Sequence, residues 1–202
     1  MKTYQNLSCI ACINKDRAIG HEGKQLYNLS TDLKNFAQVT KQNINCIVSL
    51  QTLQSIGCTL TCRFMYIVTH SPDDCAKHEL ALELGYDSSN SKFLTFEQLI
   101  NLIQQNPFMN FVCIGGGQLY AKLLPMSTKL YLTVVNDTDK LYDTVFPAFD
   151  ANDWKLLDCS LHREFDTGTK QLYEYAILTL EHQYKNWIDA LPWHYEFVKE
   201  LH

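Results

Sequence analysis

The sequence predicts an α/β fold: a central, mostly parallel sheet flanked by helices, with an antiparallel hairpin at its C-terminal edge. Three observations carry that expectation. Short, nearly continuous apolar runs recur through the first two thirds of the chain, as strands covered on both faces require. Helical patterns alternate with them, which implies parallel pairing through crossover connections. Two longer strand-like stretches, 156–165 and 172–180, then follow one another across Asp166-Thr167-Gly168-Thr169, a run of turn formers.

Taken in order, residues 7–13 read as the first buried strand, and the turn-rich stretch 14–28 follows. Ser30-Thr31-Asp32 supplies helix-start chemistry, and Leu33, Phe36, Ala37 and Thr40 recur on one face, so Asp32 falls in the first turn. A second strand at 46–48 leads into a short helix at 52–55 and a turn at Gly57; a third strand spans 64–68. One helix is expected over 74–84 and another over 95–103, where Thr95 and Gln98 have the spacing of a capping box ahead of Leu99, Ile100 and Ile103. Strand 111–114 runs into Gly115-Gly116-Gly117 and a helix over 118–124 that Pro125 stops. Strand 130–135 precedes the hairpin. Residues 1–183 read as a single domain. Residues 184–202 read as an extension, with Trp187, Trp193 and Phe197 among charges and Pro192 dividing two short helical patterns. That extension either docks back on its own domain or offers a surface to a protein partner or a second copy.

Composition narrows the function. The chain has 202 residues, 46% hydrophobic and 19% charged, with only 8 Gly and 5 Pro, which describes a folded protein and not a low-complexity one. A net charge of −5 argues against a broad basic surface for nucleic acid. No stretch approaches the ~18 consecutive apolar residues that a membrane-spanning helix needs. The polar start Met1-Lys2-Thr3-Tyr4-Gln5-Asn6 does not lead a secretory segment, so a reducing cytoplasm is the expected compartment. Cys9, Cys12, Cys46 and Cys113 lie in apolar runs and read as small buried hydrophobes, and Cys58 and Cys62 share a loop. Thiol spacings typical of zinc sites are missing, so no metal is expected.

Two features remain that carry chemistry. A triple glycine between a buried strand and a helix either makes a tight turn or lets the backbone approach a pyrophosphate, with helix-start N–H groups as donors. It is not the spaced Rossmann fingerprint. Asp32 either complements the helix dipole or is a functional anion. What favours function is the order of parts: the flexible segment 19–27, then Asp32, then an isolated Arg63 beyond the Gly57 turn, then the glycines.

Those parts resemble the dihydrofolate reductase family over about residues 7–181. Ile10-Ala11 and Asp16-Arg17-Ala18-Ile19-Gly20 are similar to its first strand and the start of its mobile loop, and Leu26 to Leu33 to the segment with its acid, followed by Phe36 and Thr40. Thr52, Ser55-Ile56-Gly57, Leu60 and Arg63 are similar to the substrate-tail region, and Ile114-Gly115-Gly116-Gly117-Gln118-Leu119-Tyr120 to the glycine signature. Leu130-Tyr131-Leu132-Thr133, Asp143-Thr144 and Phe146-Pro147 complete the series.

The resemblance implies reduction of 7,8-dihydrofolate to tetrahydrofolate by hydride from a reduced nicotinamide, NADPH, in support of one-carbon metabolism. It implies that Asp32, oriented by Thr133, accepts two parallel hydrogen bonds from the pterin edge and favours protonation at N5, with Tyr27 helping to organise water. Ile10, Cys12, Phe36, Ile56, Leu60 and Ile114 then wall the substrate, and Arg63 takes the carboxylate of its glutamate tail. Ala11, Ile19, Gly20, Thr52, Thr69, His70, Ile114, Gly115, Gly116, Gly117, Gln118, Leu119 and Tyr120 fall to the cofactor, with Tyr120 also near the substrate and the Gly115–Gly116 peptide cis. Antifolates are the implied inhibitors.

Three departures bear on this. The usual Gly-Arg pair before the first phosphate helix is Ser49-Leu50, and leucine cannot pair with a 2′-phosphate, so NADH is also a candidate, with His70 or Lys77 as compensating donors. The loop's Pro-Trp is Leu26-Tyr27, and Cys58-Thr59-Leu60-Thr61-Cys62 replaces its proline-rich punctuation. Together with the aromatic tail, the lost arginine supports the other reading, a reductase-like fold kept as a binding or assembly module.

Overall fold

The computed structural model describes residues 3–183, so the extension expected at 184–202 lies outside the described residues. Two short strands follow the first one: β1 (Tyr4–Asn14), β2 (Ala18–His21) and β3 (Lys24–Gln25), and then α1 (Ser30–Asn43). Next come β4 (Asn45–Ser49), α2 (Leu50–Ile56), β5 (Phe64–Val68), α3 (Cys75–Glu83), β6 (Ser91–Leu94), α4 (Phe96–Gln105), β7 (Phe111–Gly115) and α5 (Gly117–Leu123). The described residues end with β8 (Ser127–Val135), β9 (Thr144–Val145), β10 (Trp154–Phe165) and β11 (Leu172–His182).

An eight-stranded sheet has the order β10-β11-β8-β1-β7-β4-β5-β6, parallel from β8 to β6 and antiparallel through β11 and β10. A three-stranded sheet, β3-β2-β9, sits beside it. Alternation along β1 divides the core. Cys9, Ala11 and Ile13 face Leu99 and Ile103 of α4 and Leu119 and Leu123 of α5, whereas Ile10 faces Val39 of α1, Leu53 of α2 and Ala81 of α3. Each fully buried aliphatic side chain contributes about 1.5–3 kcal/mol, so both faces hold the sheet in place.

Local chemistry explains most of the helix boundaries. The capping box forms as its spacing requires: Gln98 N–H donates to Thr95 Oγ1 at 3.2 Å and Thr95 N–H to Gln98 Oε1 at 2.9 Å. Two expectations change. Pro125 does not end the helix outright, because the chain continues as a 3₁₀ turn, Leu124–Met126, with the proline near its start where a missing N–H costs nothing. The N-terminus of α1 begins where expected, but its N-cap is Leu29, without a side-chain bond. The acceptor comes from β10 instead, where Glu164 takes the Thr31 N–H at 3.0 Å and the Thr31 hydroxyl at 3.1 Å.

Candidate active site

Helix α1 carries Asp32 to the sheet where β1 and β8 pair Cys12 with Thr133. Thr133 Oγ1 donates to Asp32 Oδ1 at 2.5 Å and is itself buried, which fixes the carboxylate's direction. Burial raises the proton affinity of Asp32 above that of an ordinary carboxylate; the Thr133 bond opposes the rise and the charge of Glu164 adds to it. The neighbouring Cys12 thiol is held protonated by burial and by Asp32.

Beside this anion lies an apolar wall. Ile10 and Ile114 are buried in the core cluster on the α1 and α2 side of the sheet, and Phe36, Ile56 and Leu60 pack half-buried against the same cluster. Arg63, 9% exposed, closes it. Its Nε and Nη2 donate to Thr40 Oγ1 at 3.1 and 2.9 Å, Nη2 also to Ala37 O at 3.1 Å and Nη1 to Thr61 O at 2.8 Å. A nearly buried guanidinium must satisfy its donors within the protein, so the expected two-pronged grip on a ligand is mostly turned onto α1, with one N–H and the charge left to offer.

On the other side stands the glycine run. The Gly115–Gly116 peptide is cis, and Gly115 has φ of +119°, a conformation that disfavours any side chain. A Cβ on Gly116 would lie 3.0 Å from Thr52 Oγ1, and one on Gly117 3.1 Å from Val145 O. The run is therefore pressed between the start of α2 and β9. Thr52 is held by Ser49, which accepts its N–H at 3.2 Å. Tyr120 spends its hydroxyl on Ile10 O at 2.6 Å, tying α5 to β1.

Comparison with known proteins places this arrangement. A family model described as dihydrofolate reductase matches residues 6–182. The chain belongs to the dihydrofolate reductase family. It is 29% identical over 178 residues to the dihydrofolate reductase of Bacillus subtilis (strain 168), covering 87% of this chain and 94% of that one. It is 30% identical over 178 residues to the type 3 dihydrofolate reductase of Salmonella typhimurium, covering 88% and 98%. A solved dihydrofolate reductase from Enterococcus faecalis, complexed with NADP(H) and RAB-propyl, superposes with a TM-score of 0.68 at 22% identity over 90% of this chain and 99% of that one.

Within this dihydrofolate reductase fold, the other residues assigned from sequence make contacts of their own. The Tyr27 hydroxyl donates to Asp137 at 2.7 Å, its ring meets Tyr173 edge-on and Lys140 lies over its face, so its polar handle points at the loop after β8. Ala11 and Leu119 turn their side chains into the core cluster on the far face, where Ile19 also packs, which leaves backbone as what they can offer a cofactor. Gly20 pairs with Gln25 across the β2–β3 turn. Thr69 accepts from Lys77 Nζ at 3.0 Å, His70 is exposed, and Gln118 is exposed at the start of α5. Leu50 packs against the core cluster with Ile56.

Asp143, part of the resemblance but given no role there, accepts the Glu22 N–H at 2.7 Å and donates its own N–H to Gly20 O at 3.1 Å, latching the 14–28 segment onto the loop before β9. Other residues escaped the sequence reading. Glu164 reaches α1 from the antiparallel edge, and Tyr175 donates to Glu164 there. No local pattern marks such long-range partners. A groove of about 750 Å³ runs along the outer edge of β6, between Leu82 and Leu102, but contains neither Asp32 nor the glycines. Among the described residues no three His, Cys, Asp or Glu side chains gather as a metal site requires, and no helix is long and apolar enough to cross a membrane. All eight cysteines are free thiols.

Proposed function

We propose that this chain reduces 7,8-dihydrofolate to tetrahydrofolate, with Asp32 as the residue that holds and polarises the pterin and NADPH as the hydride source. The single observation that carries this reading is the Thr133–Asp32 pair, a partly buried carboxylate with raised proton affinity beside an apolar wall. An amino-pyrimidine edge presents two parallel N–H donors, and a carboxylate fixed at one oxygen by Thr133 retains lone pairs to accept both. Ile10, Phe36, Ile56, Leu60 and Ile114 supply apolar surface for a flat ring and the aromatic ring beyond it.

The raised proton affinity suits the chemistry. Asp32 takes up a proton more readily than an exposed aspartate, so it can favour protonation of substrate N5 through an intervening water, which makes C6 a better hydride acceptor. Arg63, whose guanidinium is pinned to Thr40, sits on the same apolar wall as Ile56 and Leu60 and attracts the carboxylates of the glutamate tail. A 2,4-diaminopyrimidine antifolate presents the same donor edge and is the expected inhibitor class.

The residues present fit the cofactor. Gly115 and Gly116 leave a surface that a Cβ would fill, bounded by Thr52 and Tyr120, and the N–H groups that open α2 and α5 are donors suited to phosphate oxygens. When bound, the reduced nicotinamide supplies the hydride. Thr52, Gly116, Gly117 and Gln118 would hold its phosphates, and Thr69, His70 and Lys77 line the adenosine end, where Leu50 offers no charge.

The test is purified full-length protein with dihydrofolate and NADPH or NADH. Oxidation of the nicotinamide, followed by absorbance and abolished in Asp32→Asn, supports the reading. Tight binding of dihydrofolate without turnover overturns it in favour of a binding module.

A further inference from the structure

The antiparallel edge of the sheet sends a line of polar side chains towards Asp32. On β10, Ser160, His162 and Glu164 share one face at a period of two. Ser160 Oγ meets His162 Nε2 at 2.8 Å, the His162 ring stacks on Tyr175 at 5.2 Å, and the Tyr175 hydroxyl donates to Glu164 Oε1 at 2.8 Å. Glu164 then accepts both the N–H and the hydroxyl of Thr31, the residue before Asp32.

We propose that Glu164 is a positioning residue for the reaction: reaching from β10, it grips the first turn of α1 through Thr31 and sets a second negative charge behind the one that faces the substrate. The inference rests on the reading of Asp32 as the substrate's carboxylate partner.

Geometry supplies the first half. Leu29 cannot cap α1, so the helix start depends on Glu164, and Asp32 sits one residue beyond that anchor. A shift of the first turn would move Asp32 relative to Thr133. Electrostatics supplies the second half. The groups that face Asp32 are Thr133 from β8, Glu164 from β10, Cys12 from β1, Tyr175 from β11 and Tyr120 from α5, with no cation among them. Lys140, the nearby ammonium, bonds to Leu26 O and lies over Tyr27 and Tyr173. Although burial opposes its charge, Glu164 is kept ionised by the Thr31 N–H, the Tyr175 and Thr31 hydroxyls and His162, and as an anion it makes Asp32 hold a proton more readily.

Glu164→Gln keeps an acceptor for Thr31 and removes the charge. The readout is the ¹³C titration of the Asp32 carboxyl, assigned by its absence in Asp32→Asn, together with steady-state kinetics. In Glu164→Gln the Asp32 midpoint moves to lower pH, and the alkaline limb of kcat moves with it. In Tyr175→Phe, where Glu164 loses one of the donors that keep it ionised, its charge on Asp32 weakens and the midpoint moves to lower pH, by less than in Glu164→Gln. Glu164→Leu, which loses grip and charge together, lowers kcat by about 10-fold or more, and Glu164→Gln recovers most of that loss at low pH. Turnover in the parent protein with one midpoint common to all the variants overturns this inference alone. Absence of turnover in the parent overturns the functional reading, and the carboxyl titration then still decides whether Glu164 governs Asp32. If Glu164→Gln does not fold, the Tyr175→Phe midpoint decides.

Discussion

At the Asp32 end of the candidate site the polar side chains are tied within the protein: Thr133 to Asp32, Arg63 to Thr40, Tyr120 to the Ile10 carbonyl. At the other end, where β4 and β5 finish side by side, Leu50 packs against the core, His70 stands in solvent, and Lys77 divides its ammonium between Thr69 and Asp74. The difference follows from burial. A polar group withdrawn from water must find partners in the protein, so the Asp32 end is built in advance and a change there breaks several contacts. An exposed end carries no such requirement, so its residues can change at little structural cost.

Asp32→Asn is the most severe test of the built end. Turnover is expected to fall by about 10²–10⁴-fold, measured with saturating substrate and NADPH. Stability should move the other way. Because the folded-state proton affinity of Asp32 is raised, ionising it costs stability, and that cost grows as pH rises through the raised value. Asp32→Asn should therefore melt higher than the parent at neutral pH, with the gain vanishing below about pH 3.9, the unfolded value. A lower melting temperature at neutral pH would show that the Thr133 bond outweighs the cost of burying the charge.

Arg63→Leu probes the same end at its rim. Dihydrofolate KM should rise about 10- to 100-fold while kcat changes far less, and stability should drop by about 1–3 kcal/mol because Ala37 O and Thr61 O lose their donor. Equal loss in kcat and kcat/KM would instead assign Arg63 to holding Asp32's helix. Between the two ends, Gly116→Ala places a methyl against Thr52 Oγ1 and should cost about 1–3 kcal/mol in denaturant unfolding, with weaker NADPH binding. Smallest is the change at the open end: Leu50→Arg should favour NADPH over NADH by about 10-fold, the worth of one charge-assisted hydrogen bond. An unchanged ratio would mean that Lys77 already serves the phosphate.

Elements were legible where local signals sufficed. The apolar runs of β1, β4, β5, β7 and β8, the Thr95–Gln98 cap and the hairpin at 166–169 each rest on neighbours a few residues apart. β6 escaped because Ser91-Lys92-Phe93-Leu94 is short and half polar; it is a strand because Met65 to Val68 give it a partner. The short β2, β3 and β9 are likewise defined by one another.

For the site, residue order along the chain singled out Asp32, Arg63 and the glycines, and the family resemblance added Thr133. Which way each side chain turns was settled only by folding. The Tyr27 hydroxyl belongs to Asp137, 110 residues away, and the cap of α1 belongs to Glu164, 133 residues from Thr31. The amino-acid sequence by itself determined periodicity, turns and the order of chemical groups, because those depend on the backbone geometry of adjacent residues. The tertiary structure alone decided the partners of buried polar groups, because a donor withdrawn from water takes whichever acceptor the packed sheet brings within reach, however distant in the chain.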